Sequence, residues 1–195
     1  MKAWICALAL VALSLPAQAA GIGLGKPSYG GNGCPAGTAA IALGSGGKSV
    51  SLRFDSYQAS AGGSTGRSFD RKSCNLAIPI SVPAGKSVSI VAVDFRGKNQ
   101  LPALASARFS VEYFLAGGQG PKFVRTIVGP KAGAFTSSDK LTVKSTVWSA
   151  CGADVILRTN SSILVKASGG KAASFSVRAQ DVKAAVVYNL QWRDC

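Results

Sequence analysis

This sequence contains no histidine. The side chains that remain for acid–base catalysis, metal binding or disulfide formation are chiefly its eight carboxylates and five cysteines. Histidine is the usual proton shuttle near neutral pH, so catalytic triads built on it are excluded. Paired carboxylates remain, and such pairs hydrolyse glycosidic bonds. Asp55, Asp94 and Glu112 could face one cleft, with Arg96 near Asp94, and these four residues form a candidate polar site. We favour the alternative that each acid ends a strand, binds a backbone amide or pairs with a nearby arginine.

Four cysteines remain once the N-terminal leader is set aside, and an even number in an exported chain predicts two disulfides. Three pairings of Cys34, Cys74, Cys151 and Cys195 are open. We favour Cys34 with Cys74 and Cys151 with Cys195, because each bond closes a loop of roughly forty residues within its own half of the chain. No Cys-x-x-Cys motif or histidine supports a metal or redox site, so we predict no metal and no cofactor.

Residues 1–19 have the pattern of a secretory signal peptide. Lys2 precedes an apolar run from Trp4 to Leu15, and Ala17-Gln18-Ala19 is a small-x-small cleavage site. The run is shorter than the ~20 residues that span a bilayer. We therefore expect a secreted or periplasmic protein with no transmembrane segment.

The chain is strongly basic, and removal of Lys2 with the leader would lower its net charge from +14 to +13. Its lysines and arginines are scattered, which favours a generally basic surface over one specific anion site. Because an exported protein has little access to nucleic acid, we expect anionic polysaccharide or an envelope surface as the partner. The sequence does not set the oligomeric state.

Short β-rich runs separated by turn residues extend along the rest of the chain, and no helical stripe with a cap interrupts them. Apolar and polar residues alternate over 109–115, 141–147, 174–178 and 186–193, and 129–133 has the composition of a loop. This pattern predicts an all-β chain folded as an antiparallel β-sandwich or a jelly-roll-like single domain with two disulfides. The domain would span 34–195 and follow an irregular glycine-rich arm at 20–33.

The two tryptophans near the cysteines form a candidate aromatic platform. Trp148 and Trp192 each lie three residues before a cysteine, so in straight strands each would face away from that cysteine. A bond between Cys151 and Cys195 would then place both rings on one side. Exposed rings could stack on sugars, whereas buried rings would be packing anchors. The apolar residues in phase with Trp192 favour the packing role.

Six ordered motifs contain all four cysteines of the expected domain. The motifs are Gly31–Thr38, Ser51–Tyr57, Arg71–Leu76, Val93–Gly97, Val147–Gly152 and Leu190–Cys195. In these motifs the chain resembles DUF4360, a domain-of-unknown-function family of small secreted proteins from fungi and bacteria. The family pattern usually has proline where this sequence has Ala150, which would alter only a local turn. The resemblance implies export, a disulfide-bonded all-β domain and no agreed activity.

Three functions from different classes are therefore open. The leading hypothesis is an exported, non-catalytic module that associates with anionic envelope, wall or matrix polymers through its basic surface. The second is a carboxylate-dependent, glycan-cleaving enzyme that uses Asp55, Asp94 or Glu112. The third is a structural or inhibitor-like secreted protein.

Overall fold

The computed structural model describes residues 21–115, 117–142, 146–178 and 184–195, so the predicted leader lies outside the described residues. Within these ranges the chain forms antiparallel strands and two single turns of 3₁₀ helix, at Ser45–Gly47 and Gly63–Thr65. In chain order the strands are β1 (Gly23–Leu24), β2 (Ser28–Gly30), β3 (Ala39–Leu43), β4 (Ser49–Phe54), β5 (Gln58–Ala61), β6 (Phe69–Ser81), β7 (Lys86–Leu101), β8 (Ser106–Leu115), β9 (Lys122–Val128), β10 (Lys131–Lys140), β11 (Val155–Lys166), β12 (Ala173–Ser176) and β13 (Val186–Asp194).

Two sheets pack face to face, which confirms the predicted antiparallel β-sandwich. Sheet A has the order β1-β6-β11-β8-β9, and β2 also pairs with β6. Sheet B has the order β3-β4-β13-β7-β12-β5, and β10 pairs with the other side of β7. The long strand β7 therefore lies between β13 and β12 on one side and β10 on the other.

The interior forms because alternate residues of each strand turn towards the opposite sheet. In β7, Val93 and Phe95 are fully buried, whereas Arg96 faces solvent. Phe95 packs edge-to-face on Phe109 of sheet A, with ring centres 5.3 Å apart. Further aromatic rings extend this contact towards the β9 and β10 edges, so one continuous core joins the two sheets.

Three buried tyrosines also connect the sheets through their hydroxyl groups. Tyr113 of sheet A donates a hydrogen bond to the Asp139 carboxylate of sheet B over 2.7 Å. The hydroxyl of Tyr57 lies 3.0 Å from that of Ser161. Burial raises the pKa of Tyr57, Tyr113 and Tyr188 well above the ordinary value of 10.0. The neutral phenol is thus the form that this interior accommodates.

Two disulfides fix the chain within its two halves. They join Cys34 to Cys74 and Cys151 to Cys195, which are the pairs that the loop lengths favour. Their Cα atoms are 5.2 Å and 6.0 Å apart, respectively. The first bond holds the segment before β3 against β6, and the second holds the segment before β11 to the C-terminus.

The structure differs from the expected strand pattern in three places. The glycine-rich arm contains β1 and β2, which pair with β6 instead of remaining irregular. The expected loop at 129–133 includes the start of β10. The expected strand at 141–147 is not formed by its described residues, and 143–145 lie outside them. β10 lacks hydrophobic alternation because it is an edge strand whose only large apolar side chain is Phe135.

Candidate ligand-binding groove

A groove with a volume of about 430 Å³ crosses the outer face of sheet B near the C-terminal end of β7. Four strands lie side by side here, in the order β5-β12-β7-β10. Amide, hydroxyl and cationic side chains line the groove, with the small residues of β10 on one side. The lining residues include Gln58, Lys98, Gln100, Ala132, Gly133, Ser174, Ser176 and Arg178.

Strand alternation and register assemble this lining. Residues directly opposite each other in an antiparallel pair share a face of the sheet. Lys98 is opposite Ser176, and Gln100 is opposite Ser174. Between them Asn99 turns towards the interior, together with its partner Phe175. Sequence alternation thus produces a polar outer surface over an apolar layer.

Gly97 permits the close approach of β12 to β7 beside the groove. A Cβ atom at this position would collide with the carbonyl oxygen of Ser176 and with the ring of Phe135. Glycine is the only residue without that atom. The pairing of β12 with β7 beside the groove therefore depends on the absence of a side chain at Gly97.

The groove is cationic. Lys98 and Arg178 are exposed on its surface, and the described residues that line it include no aspartate or glutamate. In the described part of the chain, the ion pairs lie elsewhere and include neither cation. Among the described residues, neither cation would have to give up a partner carboxylate to bind an anionic ligand.

The predicted polar site is divided between the two sheets. Asp94 and Arg96 lie on the outer face of sheet B, on the same side of β7 as Lys98. The Asn189 side chain donates a hydrogen bond to Asp94 over 2.9 Å. Arg96 is one outward position from Lys98, so this half of the predicted site adjoins the groove without lining it.

The remaining two carboxylates lie away from Asp94. Glu112 is on the outer face of sheet A, opposite Lys122 of β9. Asp55 follows the end of β4, four residues beyond Ser51, which is in line with Asp94 across β13. Four residues of strand extend about 13 Å. The expectation that these acids face one cleft is therefore wrong, because Glu112 belongs to the other sheet and the register separates Asp55 from Asp94 along the strands.

The two tryptophans lie on opposite faces of sheet B, so the shared platform is also wrong. Trp148 pairs with Ser89, and Trp192 pairs with the next residue of β7, Val88. Neighbouring residues of a strand face opposite sides. The prediction assumed a straight strand from Trp148 to Cys151, whereas the chain turns at Cys151.

Each tryptophan has a separate contact. The indole nitrogen of Trp192 donates a hydrogen bond to the Gly47 carbonyl over 2.8 Å, and its ring packs against the core. The rest of the ring borders an open groove of about 410 Å³ with Lys48. Trp148 lies under the guanidinium of Arg193, 4.2 Å from the ring centre. Trp192 acts mainly as the packing anchor that its neighbours favoured.

The sequence indicated that several groove residues lie on the polar side of their strands. It did not indicate that these residues meet at one place. Ser174, Ser176 and Arg178 were expected on the wet side of a strand, and Lys98 continues the outward phase of Arg96. Pairing of β12 beside the end of β7 brings them together. A sequence contains no direct indication of that pairing. Among the described residues, no helix is long and apolar enough to cross a membrane, and no three potential metal-ligating side chains cluster.

This chain resembles proteins among both the solved structures and the curated proteins. The chain is similar to TmCBM61, solved in complex with beta-1,4-galactotriose, with a TM-score of 0.32 and 10% identity over 87% of this chain and 88% of that one. A likeness this weak carries no inference about the ligand. The chain is also 29% identical over 170 residues to an uncharacterized secreted protein of Arthroderma benhamiae, which covers 86% of this chain and 69% of the relative.

The location and the family follow from these findings. A secreted relative and two disulfides identify this protein as secreted. The model of the family described as a domain of unknown function, DUF4360, matches residues 20–195. The chain therefore belongs to the DUF4360 family.

Proposed function

We propose that this secreted protein is a non-catalytic binding module that holds anionic polysaccharide of an envelope, wall or matrix in the groove on sheet B. The observation that carries the proposal is the pair of cations, Lys98 and Arg178, in a polar groove whose described lining includes no acidic residue. Anionic groups of a polymer would contact these cations, while sugar hydroxyls would bond to the glutamine and serine side chains.

The glycan-cleaving alternative has less support. Hydrolysis by two carboxylates requires them to flank one bond, at most about 9.5 Å apart. Asp94 and Glu112 lie on the outer faces of different sheets, and about 10 Å separates the backbones of packed sheets before any side chain is added. The structural or inhibitor-like alternative would be favoured if no polymer bound.

Binding to soluble polygalacturonate tests the proposal, with neutral galactan as the uncharged probe. We expect affinity for polygalacturonate that decreases as salt increases, because salt screens exposed charges. Replacing Lys98 and Arg178 together by glutamine should weaken binding by at least tenfold.

A matched variant distinguishes the groove from general charge. Arg108→Gln with Arg158→Gln removes the same charge from exposed positions on the outer face of sheet A. This variant should retain most of the affinity. Equal losses in the two double variants, or no binding by the unmodified protein even at low salt, would refute the proposal.

A further inference from the structure

A second groove, with a volume of about 400 Å³, lies at the open edge of the sandwich beside β9 and β10. These strands belong to different sheets, and within the described ranges neither pairs with a further strand on its outer side. Arg125, Lys131 and Thr136 are among its lining residues. The second groove is therefore a polar and cationic site next to the first.

Arg125 reaches this groove because of its register. It is opposite Phe109, whose ring is buried, so Arg125 lies on the side of β9 that faces the other sheet. At the sandwich edge no described strand covers it, and the side chain is exposed. No acidic residue is found in the described lining of the second groove. The described ion pairs include neither Arg125 nor Lys131.

Asn99 lies where the two grooves meet and lines both of them. Only 5% of this residue is exposed, and its side-chain oxygen accepts no hydrogen bond from the described residues. A buried acceptor without a partner is unfavourable, and a hydroxyl donor would satisfy it. Its partner on β10 is Gly133, where an added Cβ would meet open space. Opposite Asn99, β10 therefore carries no side chain.

The part of β10 between the grooves carries only small side chains, because Gly133 lies between Ala132 and Ala134. Ala132 borders the first groove and Ala134 the second. We infer that the two grooves form one path across β10 for a single anionic polymer, with Arg125 and Lys131 binding the part beyond β10. Four neighbouring strands and the gap between sheets give this path a length on the order of 25 Å. The inference rests on the proposed function and restricts the ligand to chains that reach both grooves.

The dependence of affinity on chain length tests the inference. The probes are digalacturonate and a long oligogalacturonate, titrated into the folded, disulfide-bonded protein by calorimetry. The long oligomer should bind at least tenfold more tightly than the disaccharide, because its second contact is intramolecular. Arg125→Gln should weaken binding of the long oligomer by about fivefold and leave the affinity for the disaccharide unchanged. Lys98→Gln should weaken both.

Two further variants keep the test decisive. Lys131→Gln should act like Arg125→Gln, and it replaces that variant if Arg125→Gln does not fold. Arg108→Gln removes a charge from the strand next to β9 and should change neither affinity. If neither probe binds, the proposed function fails and this inference fails with it. If both bind equally well, or if Arg125→Gln affects both probes or neither, the inference alone is overturned.

Discussion

The cations at the two ends of β7 differ in whether they contact a partner within the described part of the protein. At its N-terminal end, Lys86 forms an ion pair with Asp194. Nearby, the Arg193 guanidinium covers the ring of Trp148. Positive charge at this end is thus engaged within the protein, close to the disulfide between residues 151 and 195.

At the C-terminal end of the same strand, the cations line a groove in which no described residue is a carboxylate. Lys98 and Arg178 face solvent beside hydroxyl and amide groups. A basic composition alone would not have separated these two ends. What distinguishes them is whether each cation has a partner among the described residues.

The largest expected effect is the loss of stability that follows removal of the disulfide near the N-terminal end of β7. Cys151→Ser with Cys195→Ser opens a loop of sequence separation 44, and should lower the free energy of unfolding by about 4 kcal/mol. Urea unfolding measures the loss. Cys34→Ser with Cys74→Ser, with a separation of 40, is the matched control and should cost a similar amount. Under conditions where both variants fold, affinity at the distant groove should not change. Weaker binding in the groove by the first variant alone would show that the two ends of β7 are coupled.

High pH should destabilise both ends together, because they share the core that contains the tyrosines. Folding raises the pKa of Tyr57, Tyr113 and Tyr188 above 10.0, so the unfolded chain loses these protons first. Stability is therefore retained below pH 10 and lost as the pH rises above that value, by up to about 1.4 kcal/mol per pH unit for each tyrosine. Unfolding followed by tyrosine absorbance checks this prediction. Tyr113→Phe should reduce the slope of stability against pH above pH 10. An unchanged slope would contradict its assignment to the buried tyrosines.

A single charge removed from either end of β7 compares the ends directly. Lys98→Gln should weaken polygalacturonate binding about fivefold, because a charged contact is lost. Lys86→Gln removes the same charge but breaks an exposed ion pair, which contributes at most about 1 kcal/mol to stability. Calorimetric titration and thermal unfolding of both variants provide the measurements. Similar affinities for the two variants would remove the distinction between the ends.

The smallest effect should follow loss of the ring beneath Arg193. Trp148→Leu removes the cation–π contact and should lower stability by about 0.5 kcal/mol. The groove should retain its affinity, since Trp148 lies beside Ser89 at the other end of β7. If this variant lost binding to polygalacturonate, Trp148 would be part of the ligand site after all.

The candidate site shows how far local patterns extend. Alternation correctly placed Ser174 and Ser176 on one side of their strand and Phe175 on the other, because strand periodicity is local. The pattern did not find β10, whose exposed edge position requires no apolar alternation. It also grouped Asp94 with Glu112, because residue type alone does not show which sheet a strand joins.

The sequence by itself determined the all-β class, the two disulfides and the basic character of this protein. These properties depend on residue type and short-range periodicity, which each segment carries within itself. The tertiary structure decided which polar faces meet: β12 beside the end of β7 creates the groove, and consecutive β7 partners send Trp148 and Trp192 to opposite faces. Such neighbours are far apart in the chain, and their pairing depends on the packing of the whole sandwich.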